Sequence, residues 1–150
     1  RLCTFEQWLV CSAGLARKLP RLKEPADLRA LPWVANTALK NAARWRFQRR
    51  SESTTVSTLP VIAADTTIGT HACVLAGAGL SVLPDYLVRD DVERGNLVRV
   101  LPQWLLPLGG VHAVLPAMRF RSAAVRAFVD FMAAAAAQIA ARSSESRAMP

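Results

Sequence analysis

Side chains able to bind or transform a small molecule are spread along the chain, and their spacing limits what chemistry they can do. Ser12 directly follows the apolar run 8–11. A strand entering a helix through serine leaves unpaired amides at the helix start, which can hold an anion. The commoner use of serine at such a place is to cap its own helix. Asp65 stands before Thr66 and Thr67 at the head of a second helical stretch, where its carboxylate reads as a cap. Gly77-Ala78-Gly79 has the look of a phosphate loop but sits in the wrong order. A phosphate loop follows a strand and opens a helix, whereas these glycines follow a helix and precede a strand, so they read as a helix stop. Gly79-Leu80-Ser81 is followed by Val82 rather than by the glycine of a nucleophile elbow. Cys3, Cys11 and Cys73 form no CxxC pair, and His71 and His112 stand apart from them and from each other. That spacing gives no zinc site, and no base is paired with a nucleophile, so the reading is not an enzyme and no cofactor is expected.

The elements that must hold these residues alternate between short apolar strands and helices. Residues 8–11 read as a strand and 13–18 as a short helix capped by Ser12. A polar connection follows, with a turn of helix opened by Pro25, then a strand at 33–36. Residues 45–48 and 54–59 alternate apolar and polar about a turn at 49–53, as in a β-hairpin. Ile68, Ala72 and Leu75 fall at i, i+4 and i+7 and are expected to form the buried face of the helix after Asp65. Strands are expected at 80–83, stopped by Pro84, at 97–101, and, buried, at 111–115. A short helix is expected at 86–93. Ser122 is expected to cap a last helix whose stripe of Val125, Phe128, Val129, Met132, Ala136 and Ile139 reads as core. The order defines an open α/β sheet.

With 52% hydrophobic residues in 150, the chain can bury a core. The formal net charge is +8, from 19 basic and 11 acidic residues, and invites a nucleic-acid reading. The basic residues are scattered, except at 44–50 and 119–126, and no recognised reading element accompanies them. Three unpaired cysteines fit a reducing cytoplasm, and no apolar run approaches the roughly 18 residues needed to span a bilayer.

Two stretches resemble the second regulatory subdomain of LysR-type transcriptional regulators: Ala76-Gly77-Ala78-Gly79-Leu80-Ser81-Val82-Leu83-Pro84-Asp85-Tyr86-Leu87-Val88, and Gly95-Asn96-Leu97-Val98-Arg99-Val100-Leu101-Pro102-Gln103-Trp104. Leu9 through Ala16, Trp45 with Phe47, and Val111-His112-Ala113-Val114-Leu115-Pro116 before the stretch from Val125 agree with it in order. The resemblance implies an α/β, two-subdomain, periplasmic-binding-protein-like fold. In it residues 6–104 would be the complete second subdomain. Residues 105–142 would be the returning strand and helix of a partial first subdomain, and 143–150 a disordered tail. It also implies a small-molecule effector in the cleft between subdomains. The matching positions at helix starts are Ser12, Asp65, Thr66 and Thr67, with Thr67 the weakest. Further implications are a homo-oligomer and DNA contact only through an N-terminal helix-turn-helix that these 150 residues do not contain. The last helix and its strand, lacking neighbours, would then expose apolar surface, and the chain would associate or be poorly soluble. A two-lobed solute-binding protein, or a fragment without independent function, are the other readings.

Overall fold

The computed structural model describes residues 1–114 and 123–145. It divides into two compact units, Glu6–Pro107 in one and Arg1–Phe5 with Leu108–Pro150 in the other.

The larger unit is built on β2 (Gln7–Ser12), β3 (Trp33–Asn36), β6 (Pro60–Ala64), β7 (Ser81–Pro84) and β8 (Leu97–Arg99). Strand β2 pairs antiparallel with β7 on one side and β8 on the other. Strands β3 and β6 run parallel. The bridge between Trp33 and Leu80 joins the two groups, so the strands lie in the order β6-β3-β7-β2-β8. Alternation along each strand feeds two cores. Leu9, Cys11, Trp33, Ala35 and Val82 pack on one face with Leu28, Phe47, Val56, Leu101 and Trp104. Trp8, Val10, Val34, Leu83 and Leu97 pack on the other with Val74 and Val88. Burial on both faces explains why 8–11 is a continuous apolar run rather than an alternating one.

Helices α2 (Thr67–Leu75) and α3 (Asp85–Glu93) supply Val74 and Val88 to the second core. The opposite face is covered by the hairpin of β4 (Arg44–Arg49) and β5 (Glu52–Ser57), by a 3-10 turn at Pro25–Ala30, and by Trp104. The hairpin is tied to the rest where Gln48 and Leu105 exchange backbone bonds of 2.9 and 2.7 Å. Helix α1 is one short turn, Ala13–Ala16.

Two expectations for this unit are corrected. The face of α2 bearing Ile68, Ala72 and Leu75 does not face the core: Ile68 is 74% exposed, and the buried residues are Thr70 and Val74. These lie two positions, about 200° at helical periodicity, from Ile68 and Ala72. A threonine is tolerated in the packed face because its hydroxyl donates to the Thr66 carbonyl at 2.9 Å. The strand expected over 97–101 ends at Arg99, and Leu101 takes a positive φ of 49°.

In the smaller unit β1 (Cys3–Phe5) pairs antiparallel with β9 (Gly109–Val111). Helix α4 spans Ala123–Glu145, three residues past Arg142. The strand expected to be buried over 111–115 is instead short and shifted, with Val111 exposed. The stripe of α4 is not core: Val125, Phe128 and Met132 are exposed, as is Phe131. A two-stranded ribbon offers too little surface to cover a helix of 23 residues. The Leu115 and Pro116 end of the expected strand, the loop at 119–121, the Ser122 cap, the side chain of Ile139 and residues 146–150 lie outside the described residues.

Gly79 sits where β3 and β7 meet. A Cβ there would lie 2.6 Å from the Pro32 carbonyl oxygen and 2.9 Å from its carbon, both backbone atoms. That same oxygen accepts from Leu80 N at 2.8 Å, so it cannot retreat without breaking the joint. Gly79→Ala is expected to cost about 1–3 kcal/mol by overpacking, read as a lower urea midpoint. An unchanged midpoint would contradict the joint described here.

Candidate functional site

The carboxyl ends of the parallel strands β3 and β6 converge on the start of α2, the usual place for a ligand in an open α/β sheet. Asn36, the last residue of β3, is 3% exposed. Its Nδ2 donates to Thr67 Oγ1 at 3.1 Å, and its Oδ1 accepts from Ala38 N at 3.2 Å. Thr37 N and Oγ1 both donate to the carbonyl of Ala64, the last residue of β6, at 2.8 and 3.1 Å. The two strand ends and the helix start are thus clamped together by short polar side chains.

Thr66, not Asp65, is the N-cap of α2. Its backbone is extended, with φ −133° and ψ 151°, and its Oγ1 accepts from Gly69 N at 3.0 Å. A capping side chain must reach the amide two or three residues ahead, and the helix begins at Thr67, so Asp65 stands one residue too early. Asp65 is exposed beside the cap. Thr67 accepts from Asn36 through a hydroxyl whose own proton is left to donate. Thr67, the weakest candidate by sequence, is therefore the one bonded to a buried side chain. Asn36 was missed; its only signal is a polar residue closing the apolar strand run 33–35.

Ser12 is elsewhere. It closes β2, whose partner β7 is antiparallel, so it lies at the end of the sheet away from Asn36. Its Oγ accepts from Leu15 N at 3.1 Å, capping α1. Helix α2 runs from the Thr66 end to the Ser12 end, where a Cβ on Gly77 would lie 3.2 Å from Ser12 Oγ. Nine helical residues separate the two ends by roughly 13 Å. The structure thus brings Asp65, Thr66 and Thr67 together and leaves Ser12 apart. A cavity of about 620 Å³ opens at the Ser12 end, lined by Arg17, Lys18, Gly77 and Asn96 among others. Gly77, with φ +82°, ends α2 in the left-handed turn expected of it.

The remaining reactive groups have structural partners. His71 Nε2 and Asp91 Oδ2 are 2.9 Å apart, joining α2 to α3. The Asp91 carboxyl is held below the usual carboxylate range, chiefly by the bond from Asn96 Nδ2 at 3.0 Å. Desolvation opposes this, and His71 and Arg94 reinforce it. Burial pushes the Cys11 thiol up to about 11, which keeps it protonated at neutral pH. Among the described residues, no group of three or more His, Cys, Asp or Glu could hold a metal ion, and no helix is long and apolar enough to cross a membrane.

Fold and site together define one lobe of a periplasmic-binding-protein-like domain, with a polar helix start at the strand ends. The chain belongs to the LysR substrate binding domain family, whose model matches residues 1–137. It is 41% identical over 130 residues to the HTH-type transcriptional regulator PtxR of Pseudomonas aeruginosa, covering 87% of this chain and 42% of that protein. The CrgA regulatory domain of Neisseria meningitidis, a LysR-type transcriptional regulator, has a similar fold, with a TM-score of 0.69 at 17% identity over 88% of this chain and 65% of that one. Full-length AphB, the Vibrio cholerae virulence activator, matches with a TM-score of 0.64 at 19% identity over 72% of this chain and 37% of that one. The chain thus spans about two fifths of the length of three curated relatives it matches, 42% for PtxR.

The two candidate caps can be told apart by stability. Thr66→Ala is expected to cost about 1 kcal/mol, the usual loss for an N-cap, and Asp65→Ala less than about 0.5 kcal/mol. Chemical denaturation reads both, and the reverse order would return the capping role to Asp65.

Proposed function

We propose that this chain is the effector-sensing portion of a DNA-binding transcriptional regulator. The observation that carries the reading is the bond from the buried Asn36 to the half-buried Thr67 at the carboxyl ends of β3 and β6, beside a helix start that offers free amides. Thr67 donates its hydroxyl proton to a small polar or anionic ligand. Asn36 fixes the direction of that hydroxyl. Thr66 sets the first turn by capping Gly69, and Asp65 orients the chain entering it without touching an anion. Ser12 caps α1 and takes no part at this end. Ligand contact here bears on α2, and α2 carries the surface through which the chain assembles.

That surface supports a homo-oligomer. Strand β6 pairs only with β3 among the described residues, leaving its other edge open. Leu59, Val61, Ile62 and Ile68 are exposed along that edge and the adjoining helix, with Leu59 81% exposed. An open apolar edge beside an apolar helix face is a self-complementary surface that a second copy covers. Effector occupancy at the start of α2 would shift the balance between packings of two copies, which is how a regulatory signal leaves the site.

The effector reading is tested by screening small carboxylic acids and amides for thermal stabilisation. A true effector at about 100 times its Kd stabilises the fold by about 2.7 kcal/mol. Thr67→Ser is expected to keep that gain and Thr67→Val to lose at least about tenfold in affinity. Equal binding by both variants, or no stabilising compound at all, would contradict the reading. For assembly, Ile68→Asp is expected to shift light-scattering mass toward the monomer. A concentration-dependent mass that does not change would remove α2 from the interface.

A further inference from the structure

The hairpin of β4 and β5 carries a concentration of charge that neither the effector site nor the assembly surface uses. Between Asp27 and Glu52 the sequence holds Arg29, Lys40, Arg44, Arg46, Arg49 and Arg50 and no acidic residue. The register sorts these cations by face. Arg44 lies opposite Ser57, Arg46 opposite Thr55 and Gln48 opposite Ser53. Directly opposed residues share a face of an antiparallel ribbon. Arg44, Arg46, Gln48, Ser53, Thr55 and Ser57 are all exposed, while Phe47 and Val56, on the other face, are buried in the core. The one carboxylate of the hairpin, Glu52, lies opposite Arg49 and pairs with it at 2.8 Å on the core-side face. The solvent face therefore carries two arginines and a row of hydroxyls with no carboxylate on that face.

Three further details bear on what this face does. Arg46 Nε donates to Ser53 Oγ at 2.8 Å, which anchors the guanidinium on the ribbon. Arg50 occupies the hairpin tip with φ 52°, where glycine or asparagine would be less strained. Lys40 and Arg44, with Ser57 and Thr58, line a hollow of about 470 Å³ at the other end of the ribbon. On this face the strand carries Arg44 and Arg46, about 6.8 Å apart, with Lys40 at the hollow beyond one end and Arg50 at the tip beyond the other. Like charges held in a row repel one another in the free protein, and a row of anionic groups relieves that repulsion. Guanidinium forks pair with phosphate through two parallel bonds, and serine and threonine hydroxyls donate to phosphate oxygens.

We propose that the solvent face of the β4–β5 ribbon is a sequence-independent contact to the phosphate backbone of duplex DNA. The proposal rests on the regulator reading, because a regulator's DNA-binding head brings a duplex within reach of its sensing domain. It goes beyond that reading in giving the sensing domain a DNA contact of its own. The face has no element shaped to enter a groove, so it adds affinity and orientation and does not read bases.

The test uses the 150-residue chain and a fluorescently labelled duplex of arbitrary sequence, about 20 base pairs long, with anisotropy read between 50 and 200 mM salt. The unsubstituted chain is expected to bind with a steep salt dependence. Arg44→Gln with Arg46→Gln is expected to reduce the slope of log K against log salt by about 1.8, about 0.9 for each phosphate contact. Arg17→Gln with Lys18→Gln, which removes the same charge from the Ser12 end, is expected to leave the slope unchanged. Both pairs are exposed, so circular dichroism should report the same fold. Equal loss in the two double variants would assign binding to net charge rather than to the ribbon and overturn the proposal. So would an unchanged slope in the first variant, no duplex binding at 50 mM salt, or equal competition by polyglutamate of the same charge. A chain that binds duplex as expected but no small molecule would refute the effector reading and leave the ribbon contact standing.

Discussion

The structure depends on β2 being buried from both sides. Trp8 and Val10 reach one core and Leu9 and Cys11 the other, while β7 and β8 take both of its edges. Full burial of a Val- or Leu-sized side chain contributes about 1.5–3 kcal/mol, so this strand alone anchors several such contributions. It also fixes positions at a distance. Glu6, just before it, exchanges two bonds with Asp85 at the start of α3: Glu6 N donates to Asp85 Oδ1 at 3.0 Å, and Asp85 N donates to the Glu6 carbonyl at 2.9 Å. Ser12 at its far end sets α1, whose first amide donates to Asn96 O at 2.9 Å. Trp8 is held from outside as well, by Arg99 and Arg89 over its ring at 4.5 and 5.0 Å and by its bond to Glu6. These cation–π contacts keep a half-polar ring in place at the rim of the core.

With the sheet fixed, α2 becomes a rod laid across one face. Its start meets the carboxyl ends of β3 and β6, and its end meets Ser12. At its start Thr67 is bonded to the buried Asn36, and at its end Gly77 turns beside Ser12 and the cavity lined by Asn96. The His71–Asp91–Asn96 network runs between, so α2, α3 and the Ser12 end are mechanically joined. In the proposed reading, an event at the polar start would pass to a helix with an apolar outer face.

The sequence was informative wherever a local rule sufficed. The apolar run 8–11, the hairpin about 49–53, the Gly77 stop and the capping role of Ser12 each follow from composition and spacing within a few residues. The family, too, was legible, since short motifs in the right order over most of the chain constrain the fold more than any one of them. What was not legible depended on which face the sheet chose. Ile68, Ala72 and Leu75 make a true apolar stripe, yet the sheet packs against Thr70 and Val74, and the Thr66 carbonyl satisfies the Thr70 hydroxyl there. Periodicity cannot tell a stripe that meets the core from one that meets a partner. The stripe of α4, read as core from periodicity alone, is exposed, which agrees with the apolar surface expected of a last helix without its neighbours. Thr66 took the cap from Asp65 because the helix begins one residue later than the stronger capping residue suggests. Ser12 stands at a strand-to-helix junction as Asp65, Thr66 and Thr67 do, but β2 runs against β3 and β6, which puts its junction at the opposite end of the sheet.

The central claim is that a small molecule is sensed at the carboxyl ends of β3 and β6. The most direct measurement is an amide chemical-shift map of the labelled chain titrated with each stabilising carboxylic acid or amide. The account predicts perturbations centred on residues 36–38 and 66–70, fading along α2 toward residue 75. Perturbations centred on residues 12–18 and 95–96 would move the site to the Ser12 end and contradict it.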